Sequence, residues 1–158
     1  MNDNTHLCAR WVQPIHDMIE GHDRHGPFFV AFSEYRPELV RALADDLGFT
    51  FVDFRAEFMR PLGWEAARLP LTTLTEAVER HRAGRGLVLH NAEALLAAKS
   101  AAERRDWLRA FATRDWPAPV VVPIAIFQRD LPACGARFHR IDPDDLPSET
   151  ILTRLAVQ

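Results

Sequence analysis

Two polar turns in the sequence follow short apolar runs, which is where nucleotide-binding proteins carry phosphate chemistry. The first, "SEYRP" at residues 33–37, separates "PFFVAF" from the helical pattern "ELVRALADDLG". The second, "HNAE" at residues 90–93, follows "GLVL". A phosphate loop at the first turn would need glycines whose N–H groups wrap the phosphates, a lysine and a Ser/Thr hydroxyl. At the second turn, a carboxylate would organise Mg²⁺.

The first turn lacks the residues of a phosphate loop. No glycine lies between Gly26 and Gly48, and Lys99 is the only lysine in the chain. When the helix register is fixed by "ELVRALADDLG", Arg36 occupies the lysine position and Pro37 the Ser/Thr position. Neither residue replaces the one that the chemistry needs.

Arg36 nevertheless stands near a helix N-terminus, where the helix dipole favours anions. Tyr35 crowds this position and Glu34 repels an anion there. The alternative is a solvated arginine in a turn. Because Tyr and Arg are the residue types favoured at interface hot spots, Tyr35 and Arg36 are predicted to form an exposed pair that binds a partner.

The second turn lacks the expected carboxylates. His90 and Asn91 stand where a Mg²⁺-binding acid and a water-polarising acid would be. An imidazole and an amide are poor ligands for Mg²⁺, which prefers hard oxygen donors. Glu93 is the nearest carboxylate, but three residues past the strand it is expected to point elsewhere or to begin a helix. His90 and Asn91 are therefore predicted to make turn or cap hydrogen bonds.

Apolar runs and helical spacings alternate along the chain. The runs predict five strands, in "GPFFVAF", "FTFVDF", "GLVLH", "APVVVPIAIF" and "ARFHRI". Continuous apolar runs are typical of strands covered on both faces. The pattern therefore predicts a three-layer α/β sandwich with a mainly parallel sheet of about five strands, in a single domain spanning residues 1–158.

Helix boundaries are predicted from caps and breakers. Residues 5–22 are expected to be helical, with Pro14 kinking the helix or starting its second half. A helix carrying Leu39, Val40, Leu43 and Leu47 ends at Gly48. Capping-box patterns at Thr73 with Glu76 and at Ser100 with Glu103 predict two more starts. Residues 55–71 are predicted to be a long irregular connection with a short helix at most, and a last helix is expected around Ile151, Leu152 and Leu155.

The remaining constellations predict neither a metal site nor a catalytic site. Four metal-binding residue types near the N-terminus match no zinc spacing: Cys8, His16, His22 and His25. Ser33 lacks the glycines of a nucleophile elbow. The four arginines of one helix surround an apolar stripe and indicate a solvated face, with an acidic or nucleic-acid partner as the alternative: Arg104, Arg105, Arg109 and Arg114.

Composition and charge limit the binding partners and the cellular location that are expected. The net charge of −3 has no long run of one sign, so binding to nucleic acid through a basic surface is not predicted. No apolar run is long enough to span a bilayer, and no leader is evident at the N-terminus. The chain is expected in the cytoplasm, where Cys8 and Cys134 would be reduced, inert thiols.

The element order, the helix "ELVRALADDLG" and the strand ending in "LHNAEALL" resemble the additional-strand class of P-loop NTPases, which includes the AAA family. Within this class the chain looks similar to the small P-loop component of BREX phage-exclusion systems (BrxF). The resemblance covers about residues 10–130 and implies a P-loop-like fold. Arg36, Pro37 and His90 stand at the family's lysine, Ser/Thr and Mg²⁺-binding aspartate positions as vestigial sites.

The function expected from this resemblance is a catalytically inactive, P-loop-like binding or scaffolding subunit, in an anti-phage or DNA-associated complex. It implies no cofactor, no metal and no catalytic residue, a protein partner, nucleic acid only indirectly, and no membrane. One alternative is a divergent ATPase that needs a partner. Another is a redox-dead thioredoxin-like domain, with Arg36 and Leu39 at the cysteine positions and an antiparallel hairpin as its last two strands.

Overall fold

A parallel β-sheet organises the chain in the computed structural model, which describes residues 9–22, 26–82 and 84–147. The strands are β1 Pro27–Ala31, β2 Thr50–Asp53, β3 Leu87–His90, β4 Val120–Ile124 and β5 Phe138–Arg140. Their order across the sheet is β2-β3-β4-β1-β5, and every pairing is parallel. The predicted mainly parallel sheet of about five strands is confirmed. The antiparallel last hairpin of a thioredoxin fold is absent from the described strands.

Helices cover both faces of this sheet. They are α1 Gln13–Glu20, α2 Pro37–Leu47, α3 Thr72–Arg80, α4 Ala92–Leu96 and α5 Ala101–Ala112. Successive side chains of β1 point to opposite faces, so Phe28 and Val30 pack with α1 and α2 while Phe29 packs with the other three helices. All three side chains are fully buried. This explains the continuous apolar runs and confirms the α/β sandwich.

Two helix ends follow their sequence signals. Gly48 ends α2 in the left-handed conformation, with φ of 68°. Ser100 begins α5 with both bonds of a capping box, because its Oγ accepts the N–H of Glu103 at 3.2 Å and a Glu103 carboxylate oxygen accepts the N–H of Ser100 at 3.4 Å. These two predictions are confirmed.

The predicted capping box at Thr73 and Glu76 is wrong. Helix α3 begins at Thr72, two residues before the start that a Thr73 cap implies, and no side chain caps its first turn. Thr73 is buried with 7% exposure inside the helix instead of flanking it. The helix register is set by burial of Leu74 and Val78 in the core, which outweighs a single capping bond.

The connection after β2 is more regular than its breakers predicted. A π-helical turn, Arg55–Met59, leads into a 3₁₀ segment, Arg60–Arg68. Pro61 fits because it lies in the first turn of that segment, where its missing N–H is not needed. Only Gly63, with φ of 56° and ψ of −125°, leaves helical geometry.

The described part of the N-terminal helix is shorter than the sequence predicted. Helix α1 begins at Gln13, with Pro14 in its first turn, so Pro14 starts the helix and does not kink it. Residues 5–8 of the predicted helix, and the helix predicted around Ile151, lie outside the described residues. Within the described ranges, no helix combines the length and the apolarity needed to cross a membrane.

Candidate binding site at the carboxyl edge of the sheet

A cavity of about 330 Å³ opens at the carboxyl ends of β1, β3 and β4. The carboxyl edge of a parallel sheet is where open α/β proteins bind ligands. Its wall combines the turn after β1 with the ends of β3 and β4 and one face of α4. Much of this wall is apolar, from Val40, Ala94, Ala97, Pro123, Ile124 and Ile126. The two turns singled out in the sequence therefore face one shared cavity.

The turn after β1 does not form an anion-binding nest. A nest needs a residue in the left-handed region so that successive N–H groups converge. Among the described residues other than glycine, only Asn91 has a positive φ, so residues 32–36 all lack this geometry. The N–H of Phe32 instead donates to the carbonyl of Ile124 at 2.9 Å and extends the sheet. The carbonyl of Phe32 accepts from Gln128 at 3.1 Å.

The Arg36 side chain is bonded to neighbouring groups of the protein. Its guanidinium forms an ion pair with Glu38 and donates a hydrogen bond to the carbonyl of Pro147 at 3.5 Å. The Arg36 side chain is 14% exposed, whereas Tyr35 is 60% exposed. The predicted exposed Tyr/Arg pair is therefore corrected to an exposed tyrosine beside a mostly buried, ion-paired arginine. Pro37 opens α2, as its fixed φ permits.

His90 is a buried aromatic side chain at the end of β3. It is 4% exposed and lies against two rings, with centroids 5.9 Å away at Tyr35 and 5.3 Å away at Phe51. Burial lowers the pKa of His90 below its usual value, and the nearby Asp53 carboxylate opposes this shift without cancelling it. The imidazole is accordingly neutral near pH 7. Its ring forms part of the cavity wall, stacked beside the ring of Tyr35.

Asn91 is a turn residue that links neighbouring strand ends. It adopts the left-handed conformation, with φ of 64°. Its Nδ2 donates to Asp53 at 3.0 Å, and its Oδ1 accepts from the Tyr35 hydroxyl at 2.9 Å. Asp53 also accepts the N–H of Ala56 at 3.1 Å, at the start of the π-helical turn. Asn91 therefore makes turn hydrogen bonds, the role predicted for it from the sequence.

Asp53 is the carboxylate that sequence reasoning missed at this edge. It ends β2 and pairs in register with His90. The sequence places this aspartate near the end of the predicted strand "FTFVDF", and the ends of adjacent parallel strands meet. Its adjacency to β3 could not be read from the sequence without knowing the strand order.

Glu93 lies in the first turn of α4, close to the expected helix start, and points to the chain after β4. Its carboxylate accepts N–H groups from Ala125 at 2.6 Å, Ile126 at 2.7 Å and Phe127 at 2.8 Å. Three donors occupy most of the acceptor capacity of one carboxylate. Glu93 is therefore a structural clamp on the loop that carries Ile126.

The other chemistry-bearing residues are not assembled into a site. Ser33 is exposed and Cys134 is a free thiol whose pKa is raised by burial, which makes it less reactive. Cys8 and His25 lie outside the described residues. Within the described ranges, which include His16 and His22, no cluster of three metal-binding side chains occurs.

The arginines of α5 are partly engaged within the fold. Arg104 forms an ion pair with Asp130 at 2.8 Å and lies 4.3 Å from the ring centroid of Phe127. Arg114, just beyond the helix, pairs with Glu79. Arg105 and Arg109 are exposed, as a solvated face predicts. This helix does not present all four arginines to one acidic partner.

No protein-family model, curated protein or solved structure matches the chain. Function is therefore inferred from the geometry of the carboxyl edge.

Proposed function

We propose that this chain is a catalytically inactive, P-loop-like domain that works as a binding or scaffolding subunit of a protein complex. The observation that carries the proposal is the position of β4, which lies between β1 and β3. One strand inserted between the phosphate-loop strand and the acid-bearing strand is the arrangement implied by the resemblance to the additional-strand class. This strand order supports the interpretation of the turn after β1 and the end of β3 as the two vestigial motifs.

The absence of activity is supported at the first motif by the geometry of Arg36. Its charge is already neutralised by Glu38, so a phosphate would have to displace this carboxylate. Pro37 offers neither an N–H nor a hydroxyl at the start of α2. A nucleotide would meet a turn that lacks a nest and whose arginine is already paired.

The absence of activity is supported at the second motif by its engaged carboxylates. Glu93 is committed to three backbone N–H groups, and Asp53 accepts from Asn91 and Ala56. A divergent ATPase that needs a partner remains the second candidate, because a partner could supply the missing groups. Its specific support is Asp53, which lies opposite His90 in register.

The binding role is supported by the exposed part of the same edge. Tyr35 at 60% and Ile126 at 70% exposure are large side chains on the rim of an apolar cavity. Exposed tyrosine beside an apolar pocket is typical of protein interfaces. An anti-phage or DNA-associated complex is the setting that the resemblance implies.

Calorimetric titration of the purified chain with ATP and Mg²⁺ tests the loss of nucleotide binding. We expect no measurable heat of binding and only background phosphate release. Binding at micromolar affinity or better would overturn the proposal. Turnover abolished by Arg36→Ala, or by Glu93→Ala in protein that keeps its unfolding transition, would establish the ATPase alternative.

Capture of partners by the tagged chain in its native host tests the binding role. Tyr35→Ala should lose the partner, whereas Tyr35→Phe, which keeps the ring, should retain it. Equal capture by wild type and Tyr35→Ala would remove the turn from the interface.

A further inference from the structure

A second cavity, of about 160 Å³, lies at the amino end of β1, beside the end of α5 and the loop that leads into β5. It shares no lining residue with the cavity at the carboxyl edge. Two arginines, Arg109 and Arg137, are the charged residues of its wall, and no carboxylate of the described residues lines it. Most of the remaining wall is apolar, including Pro27, Phe29, Pro132 and Ala133.

Arg137 brings a positive charge that no acceptor among the described residues neutralises. One of its guanidinium nitrogens, Nη1, is buried without a hydrogen-bond partner. The guanidinium packs against the backbone of Gly26, where a side chain would collide with Nη1, and it lies 5.4 Å from the ring centroid of Phe28. An unpaired cation that is partly withdrawn from water raises the free energy of the fold, and a nearby anion lowers it.

Arg109 adds a second positive charge, from the last turn of α5. Its side chain is exposed and makes no ion pair among the described residues. The carboxyl end of a helix carries about half a negative charge, which favours an arginine there and opposes an anion. Two full positive charges exceed this half charge, so the cavity as a whole favours an anion.

The carboxylates on neighbouring segments do not cancel these charges. Asp130, at the start of the loop that leads into β5, forms an ion pair with Arg104 at 2.8 Å. Asp106 on α5 and Asp115 after it are exposed and lie outside the wall. Both signs of charge line the carboxyl-edge cavity, whereas this one carries positive charge alone.

The size and the apolar surface of the cavity restrict the kind of anion. A cavity of about 150 Å³ holds a benzene ring, so 160 Å³ is enough for a carboxylate with a single ring or a smaller apolar body. An inorganic oxyanion would leave the apolar side at Pro132 and Ala133 without a partner. Burial raises the pKa of the Cys134 thiol, so this lining group stays neutral and does not repel a carboxylate.

We propose that this cavity binds a small organic carboxylate, with the carboxylate group between Arg109 and Arg137 and the apolar body against Pro132 and Ala133. Guanidinium groups suit this ligand because their N–H donors match the two carboxylate oxygens. The site is separate from the binding role proposed for the carboxyl edge and does not depend on it. For so small a ligand the dissociation constant is on the order of 1 mM.

A nuclear magnetic resonance titration of the full chain with benzoate tests this site. The backbone amide signals of Ala133 and Cys134 should shift and saturate. Benzamide has the same shape without the charge and should bind at least about 5-fold more weakly. Arg109→Gln, which removes a positive charge, and Ala133→Glu, which adds a carboxylate to the wall, should each weaken benzoate binding by about 5-fold or more.

Arg105→Gln is the matched control, because it removes the same charge from an exposed position of α5 outside the cavity. It should bind benzoate like wild type. All three substituted positions are exposed, so the unfolding midpoints should stay close to the wild-type value. Absence of saturable benzoate binding, equal binding of benzamide, or an equal loss in Arg105→Gln would overturn the proposal.

Inorganic phosphate separates an organic carboxylate site from a general oxyanion site. Phosphate should bind more weakly than benzoate, because it makes no apolar contact. Tighter binding of phosphate would refute the assignment to carboxylates. These titrations involve neither nucleotide nor Tyr35, so their failure leaves the proposed function unaffected.

Discussion

The hydroxyl of Tyr35 donates a hydrogen bond to Oδ1 of Asn91 across 2.9 Å and ties the turn after β1 to the turn after β3. The same amide donates from Nδ2 to Asp53, at the end of β2. One side chain therefore fixes three strand ends at the carboxyl edge. The left-handed backbone of Asn91 is what directs its amide between the other two.

Replacing Asn91 separates its backbone role from its hydrogen bonds. Asn91→Ala should destabilise the chain by about 2 kcal/mol, because two hydrogen bonds are lost and a Cβ remains in a left-handed conformation. Asn91→Gly loses the same bonds but relieves the backbone, so we expect it to be about 1 kcal/mol more stable than Asn91→Ala. Urea unfolding measures both. Equal stabilities would show that the backbone at residue 91 is not strained.

Glu93→Gln tests the clamp on the loop after β4. The neutral amide keeps one acceptor oxygen but turns an N–H donor towards backbone donors, so we expect a loss of about 1–3 kcal/mol in the free energy of unfolding. Glu76→Gln on α3, where the carboxylate is exposed and has no described partner, is the matched control and should change stability by less than about 0.5 kcal/mol. An unchanged free energy in Glu93→Gln would contradict the clamp.

Burial of His90 makes stability depend on pH. Its pKa is lowered in the folded state, so the unfolded chain takes up the proton first as the pH falls below about 6.5. Above about pH 6.5 His90 is neutral in both the folded and the unfolded chain, so it does not affect the free energy of unfolding. As the pH falls below this value, the free energy of unfolding decreases by at most about 1.4 kcal/mol per pH unit for one histidine. Urea unfolding at a series of pH values should show a smaller loss in His90→Phe than in wild type.

The pKa of His139 on β5 is also lowered by burial, and this residue contributes in the same direction. A double variant, His90→Phe with His139→Phe, should therefore reduce the pH dependence further. A pH profile identical in wild type and both variants would contradict the assignment of this loss to buried neutral imidazoles.

Helix capping gives a direct comparison between a confirmed and a failed prediction. Ser100→Ala removes the capping box of α5 and should cost about 1 kcal/mol. Thr72→Ala changes the first residue of α3, which has no side-chain cap, and should cost less than about 0.5 kcal/mol. Equal losses in urea unfolding would show that the bonds of Ser100 do not stabilise the helix.

The sequence predicted the features that depend on neighbouring residues. Apolar runs located the five strands because each of the inner ones is buried on both faces, and Gly48 marked the end of α2 because few other residues tolerate its φ. The connection after β2 was mispredicted because Pro61 and Gly63 were read as breakers, although a proline in a first turn is compatible with helical structure.

The candidate site could be predicted only in part. The spacing of "HNAEALL" placed Asn91 in a turn and Glu93 near a helix start, but the partners of Glu93 lie more than thirty residues away, as the separation of 32 from Ala125 shows. The ion pair that occupies Arg36 depends on side-chain orientation, which residue types do not fix. The cavity arises from three strand ends whose order is a property of the whole sheet.

The position of β1 in the sheet has a consequence for synthesis on the ribosome. Its two neighbours are β4, at residues 120–124, and β5, at residues 138–140, so the strand "PFFVA" is made before both of its partners. While about ninety residues separate its translation from that of β4, this fully apolar segment has no native strand to pair with. The nascent chain therefore carries this apolar segment without its native strand partners until β4 has been made, and newly made protein should depend on chaperones that shield short apolar segments.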